Sequence, residues 1–80
     1  FKAEIDIMPH ANLLDPQGKA VSSSMGNLGL SEITNVRIGK HITLEVDASD
    51  ESDANSKVDD ACKRLLCNQI VESYTFTLSS

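Results

Sequence analysis

The sequence has little cysteine, little basic charge and no long apolar run. Its two cysteines, Cys62 and Cys67, lie five residues apart in one predicted helix. We expect them on different faces of that helix and too far apart for an easy disulfide, and two cysteines do not complete a zinc site. A chain of 80 residues buries only about 60% of the surface that its unfolded form exposes. We therefore expect oligomerisation to supplement a thin core.

Basic residues are outnumbered, with 7 against 12 acidic residues and a formal net charge of −5. A nucleic-acid-binding protein needs a basic face to displace counterions from phosphate, so this balance argues against nucleic acid as a partner. No apolar run approaches the roughly 20 residues of a membrane-spanning helix. The first predicted strand starts at once, so we expect no signal peptide. These features are typical of a soluble protein, and we expect it in the reducing cytoplasm.

Hydrophobic periodicity predicts a single domain over residues 1–80, with the order strand, helix, strand, strand, helix, strand. The predicted elements are Lys2–Met8, Pro16–Leu28, Thr34–Ile38, Ile42–Val46, Ala54–Cys67 and Glu72–Leu78. This order favours a ferredoxin-like α+β fold, in which a four-stranded antiparallel sheet carries two helices on one face. Because one thin core is marginal, we expect copies to pair through sheet faces or sheet edges as a dimer or tetramer.

The most distinctive stretch is the predicted turn from the first strand into the first helix, Leu13-Leu14-Asp15-Pro16-Gln17-Gly18-Lys19-Ala20-Val21. Asp15 is expected to cap the helix by accepting hydrogen bonds from its first turn, with Pro16 at the first helical position. Gly18 costs about 1 kcal/mol of helix stability relative to alanine. Either another part of the chain approaches the backbone closely there, or the glycine is neutral. At the other end of this helix, Gly29 is expected to be left-handed, with Leu30 folding back.

The link Gly39-Lys40-His41 between the third and fourth predicted elements favours a hairpin. Pairing Ile38 with Ile42 aligns the apolar residues, which requires a three-residue loop or a bulge at the tip. Arg37, Lys40 and His41 would then gather hydrogen-bond donors at this tip. Two interpretations stay open for it: an ordinary solvated hairpin, or a docking point for an acidic patch or a phosphate on a partner.

The search for a catalytic or metal-binding set finds no candidate. His10 and His41 fall in a predicted loop and hairpin tip, without a serine or cysteine partner. Cys62 is expected in the core, and Cys67 lies at an electronegative helix end that disfavours a thiolate. The acidic stretch 47–53 lacks the glycine and the final glutamate of a calcium loop. We therefore predict that this chain holds no catalytic residue, no metal and no cofactor.

Two motifs give the sequence a resemblance to a known family. Leu14-Asp15-Pro16-Gln17-Gly18-Lys19-Ala20-Val21, followed by Val36-Arg37-Ile38-Gly39-Lys40, resembles the PurS-type small subunit of phosphoribosylformylglycinamidine synthase. The resemblance implies a non-catalytic subunit that assembles as a homodimer or homotetramer. It implies that the subunit bridges a PurQ-type glutaminase, which releases ammonia from glutamine, and a larger PurL-type synthetase, which binds ATP and magnesium. Together they convert formylglycinamide ribonucleotide to the amidine in purine biosynthesis.

Under this resemblance, the residues expected to contact a partner lie at the start of the first helix and at the hairpin tip. They are Asp15, Gln17, Gly18, Lys19, Arg37, Lys40 and His41. An alternative is a regulatory domain of the ACT type, which shares this order of elements and binds small ligands near the first strand-to-helix turn of a dimer. The acidic cap at Asp15 disfavours an anionic ligand there. An independent small enzyme would need its chemistry from two unpaired histidines.

Overall fold

The computed structural model describes all 80 residues, from Phe1 to Ser80. In chain order the elements are β1 (Lys2–Pro9), α1 (Pro16–Asn27), β2 (Lys40–Glu45), α2 (Glu51–Ala61) and β3 (Glu72–Ser79). A π-helical segment, Cys62–Leu66, continues α2. The strands form one antiparallel sheet in the order β2-β1-β3. Neither helix combines the length and the apolar composition needed to cross a membrane.

The central strand β1 alternates between buried and exposed residues, as predicted, because successive side chains of a strand point to opposite faces. Ala3, Ile5 and Ile7 are fully buried. Ile5 lies opposite Ile42 of β2 on one side and Phe76 of β3 on the other. The apolar residues of all three strands therefore share one face. A slip of one residue would turn the whole apolar set to solvent, so burial of this face fixes the register.

Helix α2 covers part of the apolar sheet face. Asp50 caps it by accepting a hydrogen bond from the Asp53 amide at 2.8 Å, so the helix begins at Glu51 rather than at the predicted Ala54. The four-residue spacing of Ala54, Val58 and Cys62 brings all three to one buried stripe. Val58 and Cys62 pack into the same core cluster as the buried residues of β1.

The π-helical segment brings both cysteines into the core. The Cys67 amide donates to the Cys62 carbonyl at 3.0 Å, the bond between residues five apart that defines this wider turn. Cys62 and Cys67 therefore pack into one buried cluster as free thiols, and the expectation that they face different ways is wrong. The core position predicted for Cys62 is confirmed.

The sheet has three strands rather than the predicted four, because the segment 34–38 is not a strand. Asn35 adopts a left-handed conformation, with φ of 57°, which interrupts an extended run. The Val36 amide donates to Ser22 Oγ at 3.2 Å, and the Ile38 amide donates to Asp15 Oδ2 at 2.8 Å. These donors are used by side chains, so they are not available to a sheet ladder beside β2. The predicted hairpin and the bulge at its tip are wrong for the same reason.

Helix α1 lies off the sheet, which differs from the expectation that both helices cover one sheet face. Gly18 is its one buried residue, and none of its apolar side chains joins the core cluster. The chain extends over 52 × 25 × 13 Å with a radius of gyration of 16.1 Å, whereas a compact domain of this length has about 12 Å. We call residues 16–33, α1 with the turn that follows it, the α1 arm.

The C-terminus of α1 closes as the sequence predicts. Gly29 has φ of 78°, a conformation that glycine adopts without a steric penalty. The Gly29 amide donates to the Gly26 carbonyl at 3.1 Å, and the Leu30 amide donates to the Met25 carbonyl at 2.9 Å. Together these two bonds form a Schellman motif.

Tyr74 couples β3 to α2 and gives the fold a pH dependence. Its hydroxyl donates to Asp59 Oδ1 at 2.5 Å. This hydrogen bond, with burial and the Asp59 charge, raises the pKa of Tyr74 to about 12. Because the folded pKa lies above the ordinary value of about 10, the stabilisation is complete below about pH 10 and is lost as pH rises through about 12.

Tyr74 is the only tyrosine and the sequence has no tryptophan, so its ionisation can be followed by ultraviolet absorbance alone. We expect a midpoint at about pH 12 in the native chain. Asp59→Asn is expected to lower that midpoint towards about 10, because the uncharged acceptor no longer repels a tyrosinate. Circular dichroism at each pH controls for unfolding. A native midpoint near 10 in a folded chain would contradict the proposed bond.

Candidate partner-binding site

Asp15 organises the turn between β1 and α1. Its Oδ1 accepts from the Gly18 amide at 3.0 Å, which confirms the predicted cap, and its Oδ2 accepts from the Ile38 amide at 2.8 Å. These hydrogen bonds, with the nearby charge of Arg37, hold the pKa of the Asp15 carboxyl below its usual value. The bonds of the ionised form are therefore present above the ordinary carboxyl pKa and are lost as pH falls through the lowered one.

Gly18 permits a close contact between the segment 36–38 and the start of α1. A Cβ atom built on this residue would collide with the Val36 carbonyl oxygen and with the Asp15 carboxylate. Of the two interpretations left open by the sequence, a close approach to the backbone is the one that the structure confirms. Asp15 and Gly18 therefore have a structural role within the chain, in addition to any contact that the turn makes with a partner.

Arg37 holds the connector between β1 and α1 in place. Its Nη2 donates to the His10 carbonyl at 2.8 Å, and its Nη1 donates to the Leu13 carbonyl at 3.2 Å. His10 in turn donates its amide to the Val71 carbonyl at 2.9 Å, which ties the connector to the loop before β3. The predicted position of Arg37 on a hairpin tip is therefore wrong, because the residue lies beneath the connector and fastens it.

Lys40 and His41 open β2, and they do not form a cluster with Arg37. Consecutive residues of a strand point to opposite faces. Lys40 Nζ pairs with Glu72 Oε2 at 3.5 Å, whereas His41 Nδ1 contacts Asp6 Oδ1 at 2.6 Å. Since Asp6 lies among the exposed residues of β1, His41 is on the open sheet face. The predicted concentration of donors at one tip is wrong.

The structure does bring part of the predicted set together. Asp15, Lys19 and Arg37 line one shallow hollow of about 340 Å³, and Gly18 lies buried beneath it beside Asp15. Gln17 and Lys19 are exposed in the first turn of α1. The turn therefore presents a polar surface, while Lys40 and His41 lie elsewhere on the sheet.

A second depression beside Asp15 was missed by the sequence analysis. It has a volume of about 450 Å³ and is mostly apolar. We call it the Leu14 groove, and its lining residues are Pro9, Leu13, Leu14, Asp15, Pro16, Ile38, Val71 and Glu72. Leu14 is 74% exposed. The sequence feature that could have revealed it is the pair Leu13-Leu14 in a predicted connector, where large apolar side chains bury little surface when the chain folds.

The chemistry of these residues suits binding rather than catalysis. Burial raises the pKa of both Cys62 and Cys67, and a protonated thiol is a poor nucleophile. The imidazoles of His10 and His41 contact a backbone carbonyl and a carboxylate. Neither thus has the serine or cysteine contact that activates a nucleophile. The turn offers carboxylates, an exposed amine and apolar surface.

Comparison with known proteins identifies the family. The PurS family model, described as phosphoribosylformylglycinamidine (FGAM) synthase, matches residues 2–80. The chain is 36% identical over 80 residues to the PurS subunit of phosphoribosylformylglycinamidine synthase from Synechocystis, covering all of this chain and 80% of that protein. It is 38% identical over 79 residues to the same subunit from Mycobacterium leprae, covering 99% and 96%.

Solved structures of PurS chains are similar to this chain in both fold and sequence. Bacillus subtilis PurS superposes with a TM-score of 0.89 at 32% identity, covering 99% of this chain and 98% of that one. A chain in the structure of PurLQS from Thermotoga maritima gives 0.89 at 34% identity, covering 96% and 94%. The ferredoxin-like class is therefore confirmed, with one strand fewer than predicted. The resemblance drawn from the two motifs is confirmed over the whole length, and this chain belongs to the PurS family of phosphoribosylformylglycinamidine synthase.

Proposed function

We propose that this chain is the non-catalytic bridging subunit of a phosphoribosylformylglycinamidine synthase in purine biosynthesis. It couples a PurQ-type glutaminase to the PurL-type synthetase that converts formylglycinamide ribonucleotide to the amidine. The observation that carries this function is the match, over nearly the whole chain, to a chain of the PurLQS structure. The chain itself binds no cofactor, since ATP and magnesium belong to the synthetase, and the assembly works in the cytoplasm.

The α1 arm supports self-association of the bridging subunit. Val21 and Met25 are only half-buried, and Leu28 is 73% exposed. A helix of 12 residues is marginal without tertiary packing, and the serines at its centre weaken it further. The exposed apolar stripe on this helix therefore indicates that another apolar surface packs against it.

The sheet of a second copy offers that surface. Three apolar residues of β2 and the loop after it face the core side of the sheet yet stay half-buried: Ile42, Leu44 and Val46. We infer that the α1 arm of one copy packs across this part of the sheet of another. Self-association then proceeds through helix and sheet, an alternative to the pairing of sheet faces or edges that the sequence led us to expect.

Reconstitution tests the bridging function. The purified chain is mixed with PurL-type and PurQ-type subunits, glutamine, ATP and magnesium, and assembly is followed by sedimentation. We expect a ternary complex, and we expect formation of the amidine from glutamine to require this chain. Formation of the amidine from added ammonia should not require it, because only the transfer between subunits is lost. The partner contacts predicted for all seven residues, Asp15, Gln17, Gly18, Lys19, Arg37, Lys40 and His41, stay predictions. Alanine variants of the two that are exposed in the first turn of α1, Gln17 and Lys19, test them in the same assay.

Two results would contradict the bridging function. One is glutamine-dependent turnover that proceeds at the same rate when this chain is left out. The other is the failure of all three subunits to associate in the presence of glutamine and nucleotide.

A further inference from the structure

We propose that the Leu14 groove is the docking site for one large apolar side chain of a partner subunit, presented next to a lysine or arginine. The site rests on the proposed bridging function, since it assigns a surface of this chain to a different protein. It is separate from the apolar stripe of the α1 arm, because Val21, Met25 and Leu28 do not line the groove and Pro16 is the one arm residue that does.

The size of the groove suits a single anchor. Its volume of about 450 Å³ is bounded by eight residues, whereas a stable interface involves about 20–30 residues on each side. The groove is thus too small to be a dimer interface by itself. Anchors of this kind commonly carry much of the binding energy at the centre of a larger interface.

The walls of the groove are held in position before anything binds. Asp15 ties the start of α1 to Ile38, and Arg37 fastens the Leu13 carbonyl. The bond from the His10 amide to the Val71 carbonyl draws the opposite wall to the connector. These contacts keep apolar side chains at the surface, with Leu14 74% and Val71 41% exposed. A preformed groove loses less conformational entropy on binding.

The charges of the groove indicate the chemistry of its occupant. Its two ionisable lining residues, Asp15 and Glu72, are both carboxylates. The hydrogen bonds that Asp15 accepts, with the nearby charge of Arg37, favour its ionised form. Lys40 offsets Glu72 only in part, because their 3.5 Å pair is largely exposed on the lysine side. An apolar group flanked by a cation therefore complements this rim, whereas an acidic segment does not.

Leu14→Ser tests the groove in the complete reconstituted complex. We expect the affinity of the chain for its partner subunits to fall by roughly 10- to 30-fold. Leu65→Ser is the matched control, because Leu65 is 83% exposed and does not line the groove; we expect it to leave affinity unchanged. Both variants should self-associate like the native chain. Rising salt should weaken the native complex, since it screens the contact between the cation and the carboxylates.

The outcomes separate the groove from the bridging function. If the native chain binds its partners and Leu14→Ser binds equally well, the groove is not the docking site and the bridging function stands. If Leu14→Ser instead loses self-association, the groove holds a second copy and the assignment to another protein is overturned. If the native chain binds no partner subunit, the bridging function and the docking site both fail.

Discussion

Met25→Asp is expected to convert the self-associated protein into monomers. Met25 lies half-buried on the apolar stripe of α1, between Val21 and the exposed Leu28. In the proposed assembly this stripe packs against the sheet of a second copy. A carboxylate placed there loses its hydration without gaining a partner, which is among the costliest changes at an interface. We expect the dissociation constant for self-association to rise at least roughly 100-fold.

Loss of the second copy should also loosen α1 itself. The helix contains Gly18 and Gly26 and the central run Ser22-Ser23-Ser24, so its intrinsic helix propensity is low. Packing is therefore expected to supply most of its stability. The helical signal in circular dichroism should fall in the monomeric variant, while the sheet and α2 persist.

Sedimentation over a range of protein concentrations measures this effect. Ser23→Asp is the matched control, because it adds the same charge to an exposed position two residues away on the same helix. We expect the control to self-associate like the native chain. Native-like association of Met25→Asp would show that the α1 arm is not the interface, and an equal loss in both variants would show that charge rather than position matters.

The elements that the sequence predicted well are those whose determinants are local. The alternation in β1 follows from its own residues, and so does the capped start of α1 at Asp15. Gly29 and Leu30 close the helix by contacts within a few residues. In each case the partner atoms lie close in the chain, so pattern and residue type are sufficient.

The features that the sequence did not predict depend on distant partners. The segment 34–38 has strand-like residues, yet its amides donate to Ser22 and to Asp15, 14 and 23 residues away. Hydrophobic periodicity gives no information about such tertiary contacts, so it predicted an additional strand over residues 34–38. The Leu14 groove likewise needs three separate segments to meet: the connector before α1, Ile38 and the loop before β3.

Two corrections come from local geometry that simple rules misjudge. A regular α-helix places residues five apart on different faces, but the π-helical segment after α2 joins Cys62 to Cys67. The predicted cluster of Arg37, Lys40 and His41 depended on a hairpin that does not form. Because β2 begins at Lys40, Lys40 and His41 are consecutive strand residues and lie on opposite faces of the sheet. Arg37 instead donates hydrogen bonds to the connector between β1 and α1.

Gly18→Ala is expected to destabilise the fold although alanine is the better helix former. On propensity alone the substitution would gain about 1 kcal/mol. The added Cβ meets the Val36 carbonyl oxygen, which is backbone and cannot rotate away, and the Asp15 carboxylate. Relief of this overlap requires the segment 36–38 to move, which breaks the bond between the Ile38 amide and Asp15. Overpacking of this kind costs about 1–3 kcal/mol, so the net change should be a loss.

Gly26→Ala provides the matched control within the same helix, because a Cβ atom there meets nothing within 4 Å apart from its chain neighbours and the backbone of its own helix. It should stabilise the fold by roughly 0.5–1 kcal/mol, the ordinary gain from replacing a helical glycine. Urea unfolding of the native chain and both variants, at one protein concentration so that self-association is matched, measures the two effects. Opposite signs from the same substitution in one helix would establish that the contact with Val36, and not helix propensity, governs position 18. If both variants gained stability, the close packing of the segment 36–38 on the helix start would be refuted, and with it the preformed wall of the Leu14 groove at Ile38.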